Sequence, residues 1–94
     1  MMTREERRVE RAAALATEIA RYMEAADPEG FRRRLEPLES VSDGIRRIVM
    51  GARRELLSGN PDLVVGWITS IEPRCERCEK KAEALIREIR SFRP

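Results

Sequence analysis

The hydrophobic positions in the last third of the chain recur with the period of an α-helix. From Val64 to Phe92 they are separated alternately by four and three residues, which is the spacing of a coiled-coil seam. The pattern predicts a long amphipathic helix with one apolar stripe. The members of this stripe are Val64, Ile68, Ile71, Cys75, Cys78, Ala82, Leu85, Ile89 and Phe92.

Two earlier segments show the same helical alternation. The stripe of the middle segment has one polar member, Ser42, and comprises Phe31, Leu35, Leu38, Ser42, Ile45, Val49, Ala52 and Leu56. The stripe of the first segment is rich in alanine and comprises Val9, Ala12, Ala16, Ile19, Met23 and Ala26. Because alanine side chains are small, we expect the neighbouring helices to approach the first helix closely.

Two turn signals separate these segments. Asp27-Pro28 and Asn60-Pro61 each place a capping residue before a proline at the first helical position, and Gly59 is suited to end the preceding helix. The sequence therefore predicts helices over about 3–26, 28–58 and 61–92. Short connections favour antiparallel neighbours, so the predicted fold is an all-α, antiparallel three-helix bundle forming a single domain over 1–94.

Two internal prolines leave a larger number of helices open. Pro37 and Pro73 lie inside the second and third predicted helices, where each removes a backbone hydrogen bond and kinks or breaks the helix. In that alternative there are four or more helices. One would be capped at Ser42-Asp43, and Pro73 would open another that carries both cysteines.

The composition narrows the possible functions. The chain is 38% charged with a formal net charge of +2, contains no histidine, and has only two lysines, Lys80 and Lys81, among its basic residues. Without histidine the commonest general base and metal ligand is missing, so we predict neither an enzyme nor a bound cofactor. The preference for arginine indicates a GC-rich prokaryotic source, and the lack of a leader or membrane-spanning stretch predicts a cytoplasmic protein.

Cys75 and Cys78 form a Cys-x-x-Cys motif with three interpretations. Their positions on the apolar stripe favour buried core residues, because free cysteine packs as a small hydrophobic side chain. A symmetric dimer would supply four thiolates for one zinc ion. A redox role requires a thiolate stabilised at a helix N-terminus. The periodicity favours the core interpretation and predicts slowly reacting thiols.

Arginine pairs recur on the middle segment. Arg46, Arg47, Arg53 and Arg54 are placed to line one helix edge, and Arg32-Arg33 would extend it if the helix were continuous. Such an edge is able to follow a phosphate backbone, which makes a small accessory nucleic-acid-binding protein the second functional hypothesis. Acidic residues upstream favour a solvated face with intrahelical ion pairs instead, so any nucleic-acid binding is expected to be weak.

The region around the second turn is apolar on more than one side. If the second and third helices are longer than the first, their connecting end projects beyond it and exposes hydrophobic side chains. The leading hypothesis is therefore a protein-interaction or oligomerisation module, expected to be a homo-oligomer. Its predicted partner-binding residues are Leu56, Leu57, Leu63, Val64 and Trp67.

Overall fold

The computed structural model describes residues 1–34 and 40–92, and every regular element in those two ranges is a helix. The all-α prediction is confirmed. The helix count differs from the predicted three: the elements are α1 (Arg4–Ala26), α2 (Pro28–Arg34), α3 (Val41–Leu57), α4 (Pro61–Thr69) and α5 (Glu76–Ser91). None of these helices combines the length and apolar character needed to cross a membrane, within the ranges described.

Helix α1 is the centre of the fold and packs against α2, α3 and α5. It begins where predicted, because the Thr3 side-chain oxygen accepts a hydrogen bond of 3.1 Å from the Glu6 amide. Its buried side chains lie on one broad stripe, so three neighbours share it. They are Ala12, Leu15, Ala16, Ile19, Ala20, Tyr22, Met23 and Ala26.

The predicted second helix is divided into α2 and α3. Asp27 starts α2, since its carboxylate accepts a 3.0 Å hydrogen bond from the Gly30 amide. The cap of α3 is Ser40, which accepts a 3.2 Å bond from the Asp43 amide, so the helix begins earlier than the predicted Ser42 cap. Pro37 lies outside the described residues, as do Leu35 and Leu38 of the predicted stripe.

The predicted third helix is interrupted at Pro73. Helix α4 ends at Thr69 and α5 begins at Glu76, three residues after the proline that was expected to open it. The two helices pack against each other, so the predicted continuous coiled-coil seam from Val64 to Phe92 is wrong. Most members of the stripe remain in the core because each helix still presents its apolar side inward, and the exception is Cys75.

The end of α3 provides a test of the turn chemistry. Gly59 has a φ of 81°, which is unfavourable for residues with a Cβ atom. We expect Gly59→Ala to lower the free energy of unfolding by about 1 kcal/mol. Gly66 is exposed inside α4 and a Cβ there meets nothing within 4 Å, so Gly66→Ala should raise it by about 0.5–1 kcal/mol. Urea unfolding of both variants measures the two signs, and equal signs would contradict this account.

Candidate functional site

The exposed side of α3 carries four arginines around an apolar side chain. Arg46 and Arg47 lie one turn before Met50, and Arg53 and Arg54 lie one turn after it, so all five side chains share one helix face. Met50 is 65% exposed although it is hydrophobic. We call this set of five residues the arginine face.

The predicted ion pairs do not neutralise the arginine face. Asp43 accepts a 2.9 Å hydrogen bond from the Ser40 hydroxyl, and Glu29 contacts Arg74 at 3.5 Å. Within residues 1–34 and 40–92, the only face arginine with a carboxylate partner inside 4.0 Å is Arg54, which pairs with Glu55 at 3.5 Å. An exposed pair of this kind contributes about 0–1 kcal/mol. Glu5, Glu6 and Glu10 of α1 line a groove together with Arg53, so carboxylates flank that end of the face.

The extension of the arginine face toward Arg32 and Arg33 is not continuous in the way the sequence suggested. These two residues belong to α2, which ends at Arg34, whereas the four arginines of the face belong to α3. A phosphate-binding edge along one straight helix is therefore limited to the length of α3. Four arginines share it, and the other pair lies on a separate helix.

The predicted partner-binding residues divide between core and surface. Leu56 and Val64 are completely buried, so they do not form an exposed tip as the sequence suggested. The break at Pro73 explains this, because it lets α4 fold back to pack against α5 as well as α3. Leu57 and Trp67 are half-buried, and only Leu63 is fully on the surface, at 51% exposure.

Trp67 joins α4 to α3. A Cβ atom added at Gly51 would lie 3.4 Å from the Cη2 atom of Trp67, so the indole covers this glycine. Leu63 lies one turn before Trp67, and α4 follows α3 through a tight turn at residues 58–60. Leu63 therefore lies on the helix that directly follows the arginine face in the chain and packs against α3.

The Cys-x-x-Cys motif lies at the start of α5 and not in the core seam. Cys75 is the N-cap residue and is exposed, and its sulfur accepts a 3.1 Å hydrogen bond from the Cys78 amide. Cys78 is half-buried in the first turn of the helix. The prediction that both thiols are packed in the core is wrong for Cys75. Helix α5 starts at this residue, and the Cys75 side chain bonds to the first turn of the helix instead of packing in the core.

This arrangement shifts the pKa values of the two thiols in opposite directions. Hydrogen bonds from the Cys78 thiol and then from the Cys78 amide lower the pKa of Cys75, because both stabilise its thiolate. The pKa of Cys78 is raised, first because its thiol is the donor in that bond and then by desolvation. Cys75 is therefore the more nucleophilic member at neutral pH.

A groove of about 400 Å³ adjoins Cys78 between α1 and α5. We call it the thiol groove. Tyr22 lies in its wall and is only 5% exposed, and its hydroxyl has no hydrogen-bond partner among the described residues. Burial raises the pKa of Tyr22, and the negative charge of the cysteine thiolates raises it further. The charged side chains along the groove are Glu18, Arg21, Arg77 and Lys81.

We expect Cys75 to be alkylated by iodoacetamide before Cys78, and the pH midpoint of its alkylation rate to lie below that of an ordinary cysteine. The reason is that alkylation requires the thiolate, and the two pKa values are displaced in opposite directions. Mass spectrometry of partly modified native protein gives the order. Cys78→Ala removes the thiol donor but keeps the amide, and should move the pH midpoint of Cys75 upward. Equal, slow modification of both thiols would restore the core interpretation.

Comparisons of the chain with protein-family models, with curated proteins and with solved structures find no match. The arginine face and the thiol groove are therefore interpreted from their own geometry and charge. They use different side chains on different helices, so each supports a separate hypothesis.

Proposed function

We propose that this chain is a helical protein-interaction module that binds an acidic segment of another protein on its α3–α4 surface. The observation that carries the proposal is the exposure of Met50 at the centre of four arginines. Arginine binds carboxylates through paired hydrogen bonds, and an apolar centre with a charged rim is the usual arrangement of a protein interface.

The apolar component favours a protein over a nucleic acid. Met50 and Leu63 offer hydrophobic contacts that a phosphate backbone does not use. Trp67, the only aromatic residue that the sequence placed in this region, is half-buried over Gly51, which limits its use as a platform for stacked bases. A duplex would engage the arginines alone, through contacts that salt weakens steeply.

The charge of the face also disfavours a second copy as its occupant. A twofold contact would place Arg46, Arg47, Arg53 and Arg54 opposite the same residues of the other copy. Like charges across an interface are repulsive. A partner that supplies glutamate or aspartate around one apolar side chain fits the pattern better than the homo-oligomer expected from the sequence.

Site-specific photocrosslinking in the cells of origin tests the proposal. A benzophenone amino acid at Met50 should give one predominant adduct with another protein, crosslinked within an acidic segment. The control position is Ala84, which is exposed on α5 and should not give this adduct. A synthetic peptide of the crosslinked segment should bind the purified chain and lose affinity when Arg46 and Arg53 are changed to Glu.

Three outcomes contradict the proposal. An adduct that nuclease removes would identify the face as a nucleic-acid-binding surface, which was the second hypothesis. An adduct of two copies of the chain, with a dimer in sedimentation, would support oligomerisation. The same adducts from Met50 and Ala84 would show that the face has no specific partner.

A further inference from the structure

We propose that Cys75 and Cys78 form a thiol–disulfide exchange site for a small disulfide that carries carboxylates. The site does not involve the arginine face, so its test and the crosslinking test can fail independently. The proposal rests on the position of Cys75 at a helix start, on a second thiol within reach, and on a positively charged groove. The groove is lined by a buried hydroxyl that has no partner within residues 1–34 and 40–92.

Cys75 is placed to be the attacking group. Its sulfur lies at the N-terminus of α5, where backbone amides point outward and the helix dipole favours negative charge. The 3.1 Å bond from the Cys78 amide holds the sulfur in this position. Because the side chain is exposed, a disulfide from solution has access to it.

Cys78 is placed to complete the exchange. The Cys75 thiolate attacks one sulfur of the incoming disulfide, forms a mixed disulfide, and releases the other half as a thiolate that takes up a proton. Cys78 then loses its proton to solvent and attacks the Cys75 sulfur, which expels the second half as another thiolate. The chain ends with a Cys75–Cys78 disulfide, and the small disulfide is reduced to two thiols.

The thiol groove provides the selectivity for carboxylates. Arg21, Arg77 and Lys81 supply three positive charges against the single carboxylate of Glu18. The Tyr22 hydroxyl has no hydrogen-bond partner among the described residues and is covered by its neighbours, so a bound carboxylate would satisfy it once those side chains move aside. A volume of about 400 Å³ is in the range of small-molecule sites.

The test compares two small disulfides of opposite charge. The reduced chain is mixed with glutathione disulfide, which is anionic, or with cystamine, which is cationic, and formation of the Cys75–Cys78 disulfide is followed by mass spectrometry. The ratio of the two rates is measured for the folded chain and for the chain unfolded in urea. Folding should increase the preference for glutathione disulfide at least tenfold. An unchanged ratio would overturn the proposal.

Variants separate the roles of the residues. Cys78→Ser should stop at the mixed disulfide with glutathione, and Cys75→Ser should lose the fast reaction. Arg21→Glu with Lys81→Glu should remove the preference for the anionic disulfide. The charge-matched control is Lys80→Glu with Arg87→Glu, at two exposed positions outside the groove, and should keep the preference.

Tyr22→Phe distinguishes a binding hydroxyl from a structural one. It should slow the reaction with glutathione disulfide several-fold while leaving the alkylation rate of Cys75 by neutral iodoacetamide unchanged. Equal slowing of both reactions would show a general disturbance of the thiols and count against the proposal. So would purification of the chain with half an equivalent of zinc that blocks both thiols, since this would favour a four-thiolate site shared by two chains.

Discussion

Leu56→Ala is expected to lower the free energy of unfolding by about 2–5 kcal/mol, because the side chain is completely buried and its removal leaves a cavity. Leu63→Ala, which makes the same chemical change at a site 51% exposed, should alter it by less than about 0.5 kcal/mol. The sequence assigned both leucines to one partner-binding surface, whereas the structure gives them different environments.

The free energies of unfolding of the two variants are measured by urea unfolding, monitored by circular dichroism. A small domain has a total stability of about 5–15 kcal/mol, so the Leu56 variant should show a large fall in midpoint or be partly unfolded in water. In the crosslinking experiment Leu63→Ala should weaken the adduct formed from Met50 while the fold is retained. Similar losses of stability in both variants would contradict the burial of Leu56 in the core.

The parts of the fold that could be predicted from the sequence depend on local signals. Thr3 caps α1, and Gly59 with Pro61 ends one helix and begins the next, because capping and backbone preference act within a few residues. The helical period placed Ile19 and Leu85 in the core for the same reason. These features do not depend on how the helices pack together.

The interruption at Pro73 shows where the sequence pattern is insufficient. The spacing of apolar residues continues across the break, since Ile71 and Ala82 would occupy suitable positions in one continuous helix. Periodicity alone does not reveal whether a proline kinks a helix or ends it, because the difference depends on tertiary contacts. Here α4 and α5 pack against each other, so the chain gains buried apolar area by turning.

The position of the break also explains why the thiol site was assigned to the core. In a continuous helix Cys75 would lie on the apolar stripe, but as the N-cap of α5 it has extended backbone angles, with φ of −151° and ψ of 157°. The redox interpretation of the Cys-x-x-Cys motif requires a helix N-terminus, the setting that stabilises a thiolate, and Cys75 lies at the start of α5. Whether Cys75 lies on the apolar stripe or at a helix N-terminus depends on where α5 begins, and the sequence pattern does not determine that position.

The sequence does not indicate Met50 as a binding residue, because a single methionine in a helix has no distinctive pattern. Its placement three or four residues from each of Arg46, Arg47, Arg53 and Arg54 was visible in the sequence. What the sequence does not show is that the Asp43 carboxylate accepts a hydrogen bond from the hydroxyl of Ser40, the N-cap of α3, in place of pairing with these arginines. The sequence predicts a solvated helix face with ion pairs along the helix, whereas in the structure these arginines surround an exposed apolar side chain.

Changing Arg46, Arg47, Arg53 and Arg54 together to Glu is expected to weaken binding of the acidic partner peptide more than 100-fold. Each exchange replaces an attraction by a repulsion, and contributions of about 1 kcal/mol per site add to more than about 3 kcal/mol. All four residues are exposed on α3, so helical circular dichroism and the urea midpoint should change little. Isothermal titration with the peptide measures the loss.

The matched control makes the same change in net charge at four other exposed arginines and should keep the affinity within a few-fold; these are Arg4, Arg7, Arg87 and Arg90. If the control loses as much affinity as the face variant, the attraction depends on overall charge and the face is not a site.

Duplex DNA is the second ligand to be titrated. Four phosphate contacts give a salt slope of about −3.6, so DNA affinity should fall about 150-fold between 50 and 200 mM salt. Because Met50 and Leu63 also contribute apolar contacts, the peptide should lose much less affinity over the same range, and a steeper loss for the peptide than for DNA would contradict the apolar centre.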